Sequence, residues 1–118
     1  MGQVESSSPD PSGRWAWLNV RVKQDLFPYS LNRRAASAGA VFTILQDGER
    51  EPLLVEGVDY VLVIHGDPWR IVCPQQTVAT VDYAQEPAGI VPAMPEVSFW
   101  TGETVSEIKS QVRLARNR

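Results

Sequence analysis

Residues 39–83 read GAVFTILQDGEREPLLVEGVDYVLVIHGDPWRIVCPQQTVATVDY, and the spacing of their turn residues decides the fold. β-Branched and aromatic runs (Val41, Phe42, Thr43 and Ile44 in the first) are cut by turn signals at Asp47-Gly48, Glu56-Gly57, Gly66-Asp67-Pro68 and Pro74-Gln75-Gln76. Strands bounded by turns every 8–12 residues are the pattern of an antiparallel β-sandwich or barrel, so an all-β fold is expected. The strands read as 40–46, 58–65, 69–73 and 77–83, with Asp47-Gly48 making a tight hairpin. In the last of them Val78 and Thr80 share one face, and Ala79 and Val81 share the other.

Residues 14–23 alternate upstream of this stretch. Ala16, Leu18, Val20 and Val22 fall on one face of a strand, and Trp15, Trp17, Asn19, Arg21 and Lys23 on the other. Two tryptophans on the face opposite an apolar stripe need a cover, and Trp is enriched at interface centres. Residues 1–13, with Ser6, Ser7, Ser8, Pro9, Pro11 and Gly13, read as an extended, flexible arm. Downstream, Pro87, Pro92, Pro95 and Gly89 make 84–96 an extended connector, because proline cannot donate to a strand ladder. A last short strand is expected at 97–100. Thr104 and Glu107 fit a capping box ahead of a helix over 105–116, with Val105, Ile108, Val112 and Ala115 at helical spacing. A strand over the same tail is the competing reading. The expected organisation is an arm at 1–13, a β-domain at 14–100 and a basic helix or tail at 101–118.

At 118 residues and 43% apolar composition the chain has the size and make-up of one globular domain. No apolar run approaches the ~20 residues of a membrane span, so no membrane partner is expected. The first residues have neither a basic start nor an apolar stretch, so no secretory signal is expected. One Cys and one His leave no material for a disulfide framework or a Cys/His zinc site within one chain.

The net charge of −3 conceals a segregated layout. Residues 14–34 hold five bases and one acid, 35–107 hold eleven acids and two bases, and 109–118 hold four bases and no acid. Basic segments flanking an acidic middle allow three arrangements. They fold onto their own middle, they engage a second copy, or they contact nucleic acid. A sequence pI near 5.1 argues against nucleic acid as the partner of the whole chain.

No residue set spells out a reaction. His65 has only Asp67 nearby as an orienting partner, and a strand-end histidine bonded locally is the simpler account. Cys73 follows Arg70-Ile71-Val72 and is expected to be a buried, inert thiol, with an inter-subunit disulfide as the rarer alternative. Asp59, Asp67 and Asp82 match no cation-binding loop spacing. The glycines open no phosphate loop. Four tryptophans in 118 residues serve either packing or a stacking platform for sugars or bases.

Gly57-Val58-Asp59-Tyr60-Val61 opens one strand, and a later one ends in Val81-Asp82-Tyr83. Over 39–83 this order resembles β-sandwich modules in virion structural proteins of tailed bacteriophages, among them decoration, tail and fibre-attachment proteins. The resemblance implies a non-enzymatic virion component without a cofactor. Its partners would be the major capsid protein or other virion proteins, and copies of itself. A capsid decoration or cement protein is the first choice, with a head–tail connector or a tail component next. A glycan- or nucleic-acid-binding β-domain is the reading from a different class. The residues expected at the interface are Trp15, Trp17, Arg33, Arg34, Arg113 and Arg116.

Overall fold

The computed structural model describes residues 1–24, 26, 38–108 and 110. Its strands are β1 (Gly2–Pro9), β2 (Trp15–Val22), β3 (Val41–Asp47), β4 (Asp59–Val61), β5 (Ile64–His65), β6 (Arg70–Ile71), β7 (Ala79–Asp82) and β8 (Gly89–Pro92), with a single helical turn α1 (Pro74–Thr77). Six of the strands form one antiparallel sheet in the order β3-β2-β1-β4-β7-β8, and β5 pairs with β6 in a separate ribbon. The all-β expectation holds, and a short helix begins at 105 behind the predicted cap: the Glu107 amide donates to Thr104 Oγ1 at 3.1 Å.

The sheet consists of two three-stranded wings joined by a narrow seam. β1, β2 and β3 form one wing, with Val4 opposite Val20 and Leu18 opposite Ile44. β4, β7 and β8 form the other, with Val61 opposite Ala79 and Val81 opposite Ile90. Among the described residues only Gly2↔Tyr60 and Gln3↔Asp59 pair across the seam, reinforced by the Gly57 amide donating to Val4 O at 3.0 Å and Gln3 Nε2 donating to Gly57 O at 2.9 Å. Gly2 sits where the strands leave no room: a Cβ there would lie 2.8 Å from Val20 Cγ1 and 2.9 Å from Arg21 O.

Each wing buries a different face. Directly opposed residues share a face, and successive residues alternate. Val4, Leu18, Val20, Ile44 and Tyr60 therefore point one way and pack with Leu54, Ile71 and Val78 in the first core. Val61, Ala79 and Ile90 point the other way and pack with Leu26 and Ile108 in the second. The 50s loop and the β5–β6 ribbon cover the first core, with Phe42 edge-on to Trp69 at 5.1 Å. Trp100, Val105 and Ile108 close the second from the opposite side. This explains why 77–83 is apolar on both faces: Val78 serves one core and Ala79 the other.

Several expectations are corrected. Residues 1–13 are extended but are not a flexible arm. β1 lies inside the sheet, Val4 is 1% exposed, and the Met1 amino group donates to Gln24 O at 2.8 Å. The serines of β1 pair through backbone, which composition does not register, and Asn19 Nδ2 donates to Ser6 Oγ. The run 58–65 is not one strand. β4 belongs to the main sheet and β5 to the ribbon, because the chain leaves one layer for the other between them. The connector 84–96 contains β8, which starts two residues after Pro87 and ends on Pro92 itself. Residues 97–100 form no strand, although the Phe99 amide donates to Gln76 O. Asp47-Gly48 does not close a hairpin with the following segment, since β3 pairs with β2. Pro74-Gln75-Gln76 does interrupt the strand before it, as a helical turn.

Ile44 is 1% exposed at the centre of the first core. Ile44→Ala should lower the unfolding free energy by about 2–5 kcal/mol, the usual cost of truncating a buried aliphatic side chain, measured by urea denaturation. Gly2→Ala should destabilise as well, because the seam has no room for a methyl group, whereas a Gly2→Ala chain as stable as wild type would contradict this register.

Candidate functional site

Trp17 is 40% exposed on the face of the β1–β3 wing opposite the first core. By register it shares that face with Ser8 on β1 and Leu45 on β3, and along β2 with Asn19 and Arg21. Val41, opposite Arg21, is 48% exposed. This is the surface the alternation in 14–23 predicts. Its polar groups are mutually bonded: Asn19 Nδ2 donates to Ser6 Oγ, Thr43 Oγ1 donates to Asn19 Oδ1, and Arg21 pairs with Glu5. The face is thus pre-ordered around an exposed indole.

Trp15, two residues earlier, has a different environment. Its ring lies between the Arg14 and Arg70 guanidiniums, 5.4 and 5.0 Å from the centroid. Arg14 forks onto Asp47 through Nε at 3.3 Å and Nη2 at 3.1 Å. Asp47 is 4% exposed, and the bonded Arg14 guanidinium holds its carboxyl below the usual carboxylate range. The Glu51 carboxylate, itself largely buried, accepts from the Asp47 amide and lies 3.8 Å from Arg70 Nη2. With Arg50 these groups line a cavity of about 350 Å³. Its lining sets three arginines, Arg14, Arg50 and Arg70, against two carboxylates, Asp47 and Glu51.

Lys23, Asp59 and Tyr83 form a second polar cluster, beside the seam. Lys23 Nζ and the Tyr83 hydroxyl both donate to Asp59, which is 7% exposed. The hydrogen bond to that carboxylate, and burial after it, push the Tyr83 phenol up to about 12. Sequence reasoning missed this triad, because Lys23 and Asp59 are 36 residues apart.

The remaining candidates are scattered. His65 is exposed at the end of β5 and no hydrogen bond joins it to Asp67 among the described residues. Cys73 is exposed, not buried: it precedes α1 at φ 43°, where the backbone turn carries its side chain outward. Asp82 caps the β7–β8 turn by accepting from the Ala84 amide and Gln85 Nε2. Trp69 packs against Phe42, and Trp100 donates its indole N–H to Thr77 O, so the four tryptophans make no common platform. Arg33, Arg34, Arg113 and Arg116 lie outside the described residues. Of the predicted interface set, the structure therefore places Trp17 on an open face and Trp15 in a cation-flanked corner.

A third feature had no forerunner in the sequence reading. Val91, Met94, Val97 and Phe99 fall within nine residues, and all are more than a third exposed, Phe99 by 70%. Comparison with protein-family models, curated proteins and solved structures finds no match for the chain.

Tyr83 yields a pH test with a definite sign. Its folded pKa lies above the ordinary value of 10.0, so the folded state holds the proton longer than the unfolded one. The contribution is complete below pH 10 and is lost as the pH rises from about 10 to about 12. Denaturation midpoints should fall across that window in wild type and fall less in Tyr83→Phe. For Asp47 the folded pKa is depressed, so its contribution is present above the ordinary carboxylate range and is lost on acidification. Arg14→Ala should blunt that acid sensitivity in the same assay.

Proposed function

We propose that this chain is a structural component of a bacteriophage particle, a decoration protein that stabilises the shell through protein–protein contacts. The observation that carries the reading is the open sheet face of the β1–β3 wing, ordered by its own side-chain hydrogen bonds and presenting Trp17 to solvent. A large exposed indole on a face whose polar side chains are bonded to one another is the composition of an interaction hot spot. The resemblance of 39–83 to virion β-modules points the same way.

The closure of the lateral sheet edges also supports a docking role for faces. The outer side of β3 takes up Trp69, whose carbonyl accepts from the Leu45 amide, and β8 takes up the 103–105 segment through Glu103 O and Ala88 O. The half of β1 that runs past β4 ends in Pro9, which offers no amide. Strand addition by neighbours is thereby disfavoured, and contact falls to side chains on faces.

The test is co-sedimentation of the tagged, purified chain with tailed phage particles from the same source, followed by heat challenge of the particles. Binding with delayed genome release is expected, and Trp17→Ala should keep the circular dichroism of wild type while reducing binding about tenfold or more, as truncating a hot-spot aromatic does. A chain that stays in the supernatant, or saturable Trp quenching by glycans or single-stranded oligonucleotides in its place, would end the proposal.

A further inference from the structure

The segregated charges of this chain are resolved unequally by the fold. Arg14 pairs with Asp47 and Glu49, Arg21 with Glu5, Lys23 with Asp59, and Arg70 lies near Glu51. The first basic segment is thus largely neutralised within its own chain, as far as it is described. Residues 71–108 contain five acids, Asp82, Glu86, Glu96, Glu103 and Glu107, and no Lys or Arg. None of the five takes an ion pair among the described residues. Among the described residues this end of the molecule is acidic and carries no compensating base.

The exposed apolar side chains Val91, Met94, Val97 and Phe99 lie in that same region. The 93–99 segment runs from the Ala93 amide, bonded to Val78 O, to the Phe99 amide, bonded to Gln76 O, so it is anchored at both ends. Glu96 lies within it and Glu86 in the turn at the other end of β8, both exposed and without an ion pair among the described residues. The result is an anchored apolar strip with one carboxylate, Glu96, inside it and another, Glu86, beyond the far end of β8, complementary to a segment that alternates bases with aliphatic residues. Residues 109–118, KSQVRLARNR, are such a segment and contain no acid. There Val112 and Leu114 are interleaved with Lys109, Arg113, Arg116 and Arg118.

We propose that this acid-rimmed apolar strip receives residues 109–118 of a second copy of the chain. A second copy is favoured because the tail starts from the face of the sheet opposite Val91, with Phe99, edge-on to Trp100 of the second core, at the near end of the strip. Ile108 is buried in the second core with Ala79 and Ile90, whereas Val91, by alternation, points from the other face. Strip and tail are different surfaces, so the contact is head-to-tail, which repeats until the rotation closes a ring or continues as a filament. The inference draws on the assembly reading of the proposed function but has its own readout: a chain that associates with itself and ignores phage particles would retain this contact and end that role.

The experiment is a charge swap on the full chain, read by sedimentation velocity and light scattering. Wild type should exceed its 13.1 kDa mass at low salt in a concentration-dependent way and move towards it in about 1 M salt, where charges are screened beyond about 3 Å. Glu86→Lys with Glu96→Lys should weaken association about tenfold or more, and so should Arg113→Glu with Arg116→Glu. Mixing the two variants should restore it, because each then meets opposite charge only on the other. Phe99→Ser tests the apolar component and should weaken association at any salt concentration. A wild type that stays at single-chain mass overturns the proposal, as does tail docking within one chain, which would leave the mixture no heavier than its parts. Association unchanged by either charge reversal also overturns it.

Discussion

The structure depends on a seam two residue pairs wide. Gly2 and Gln3 of β1 meet Tyr60 and Asp59 of β4, and among the described residues no other strand pairing joins the two wings of the sheet. At this seam the buried face changes side: Tyr60 enters one core and Val61, its neighbour in sequence, enters the other. A strand with one solvated face would allow the register to slip by two residues at little cost, but β4 cannot slip without emptying both cores. Gly2 makes the close approach possible, since any side chain there would collide with Val20 and the backbone of Arg21.

Covering opposite faces of the two wings leaves each wing one open face. On the β1–β3 wing that face carries Trp17 and Val41 amid bonded serine, threonine and asparagine side chains. On the β4–β8 wing the open face includes Val91 and is continued by the 93–99 segment. The molecule therefore offers two surfaces of different character, one polar and aromatic, the other aliphatic and acidic. Its charged residues follow the same division. Those of the first wing are matched into pairs, Lys23 with Asp59 of β4 among them, whereas the acids from Asp82 to Glu107 take no ion pair among the described residues.

What was legible in the sequence follows from which forces act locally. β2 and β3 were readable because one face of each is apolar, and the period of two exposes Leu18, Val20 and Ile44 directly. The capping box at Thr104 was readable because its partners are three residues apart. β1 was not, because Ser6–Pro9 contribute backbone hydrogen bonds and almost no apolar surface, so composition resembles a linker. β8 was hidden between prolines that sit at its boundaries. The split of 58–65 into β4 and β5 was hidden because an uninterrupted apolar run does not report a change of layer. Trp17 was found from alternation alone. The partners of Arg14 and Lys23 were not, since pairs 33 and 36 residues apart leave no local signature.

The position of β1 also governs the order in which the molecule can be made. β1 is an inner strand that leaves the ribosome before β2, and its partner on the other side, β4, emerges some fifty residues later. The β1–β2–β3 meander can form early, but its apolar stripe waits for Leu54, Tyr60, Ile71 and Val78 to be translated. Such non-local pairing is slow, and the half-finished sheet exposes both an apolar face and an unpaired strand to other nascent chains. The polar composition of β1, with Glu5, three serines and a terminal proline, is well suited to that interval: the strand keeps its place in the finished sheet yet offers little for misdirected pairing while it waits.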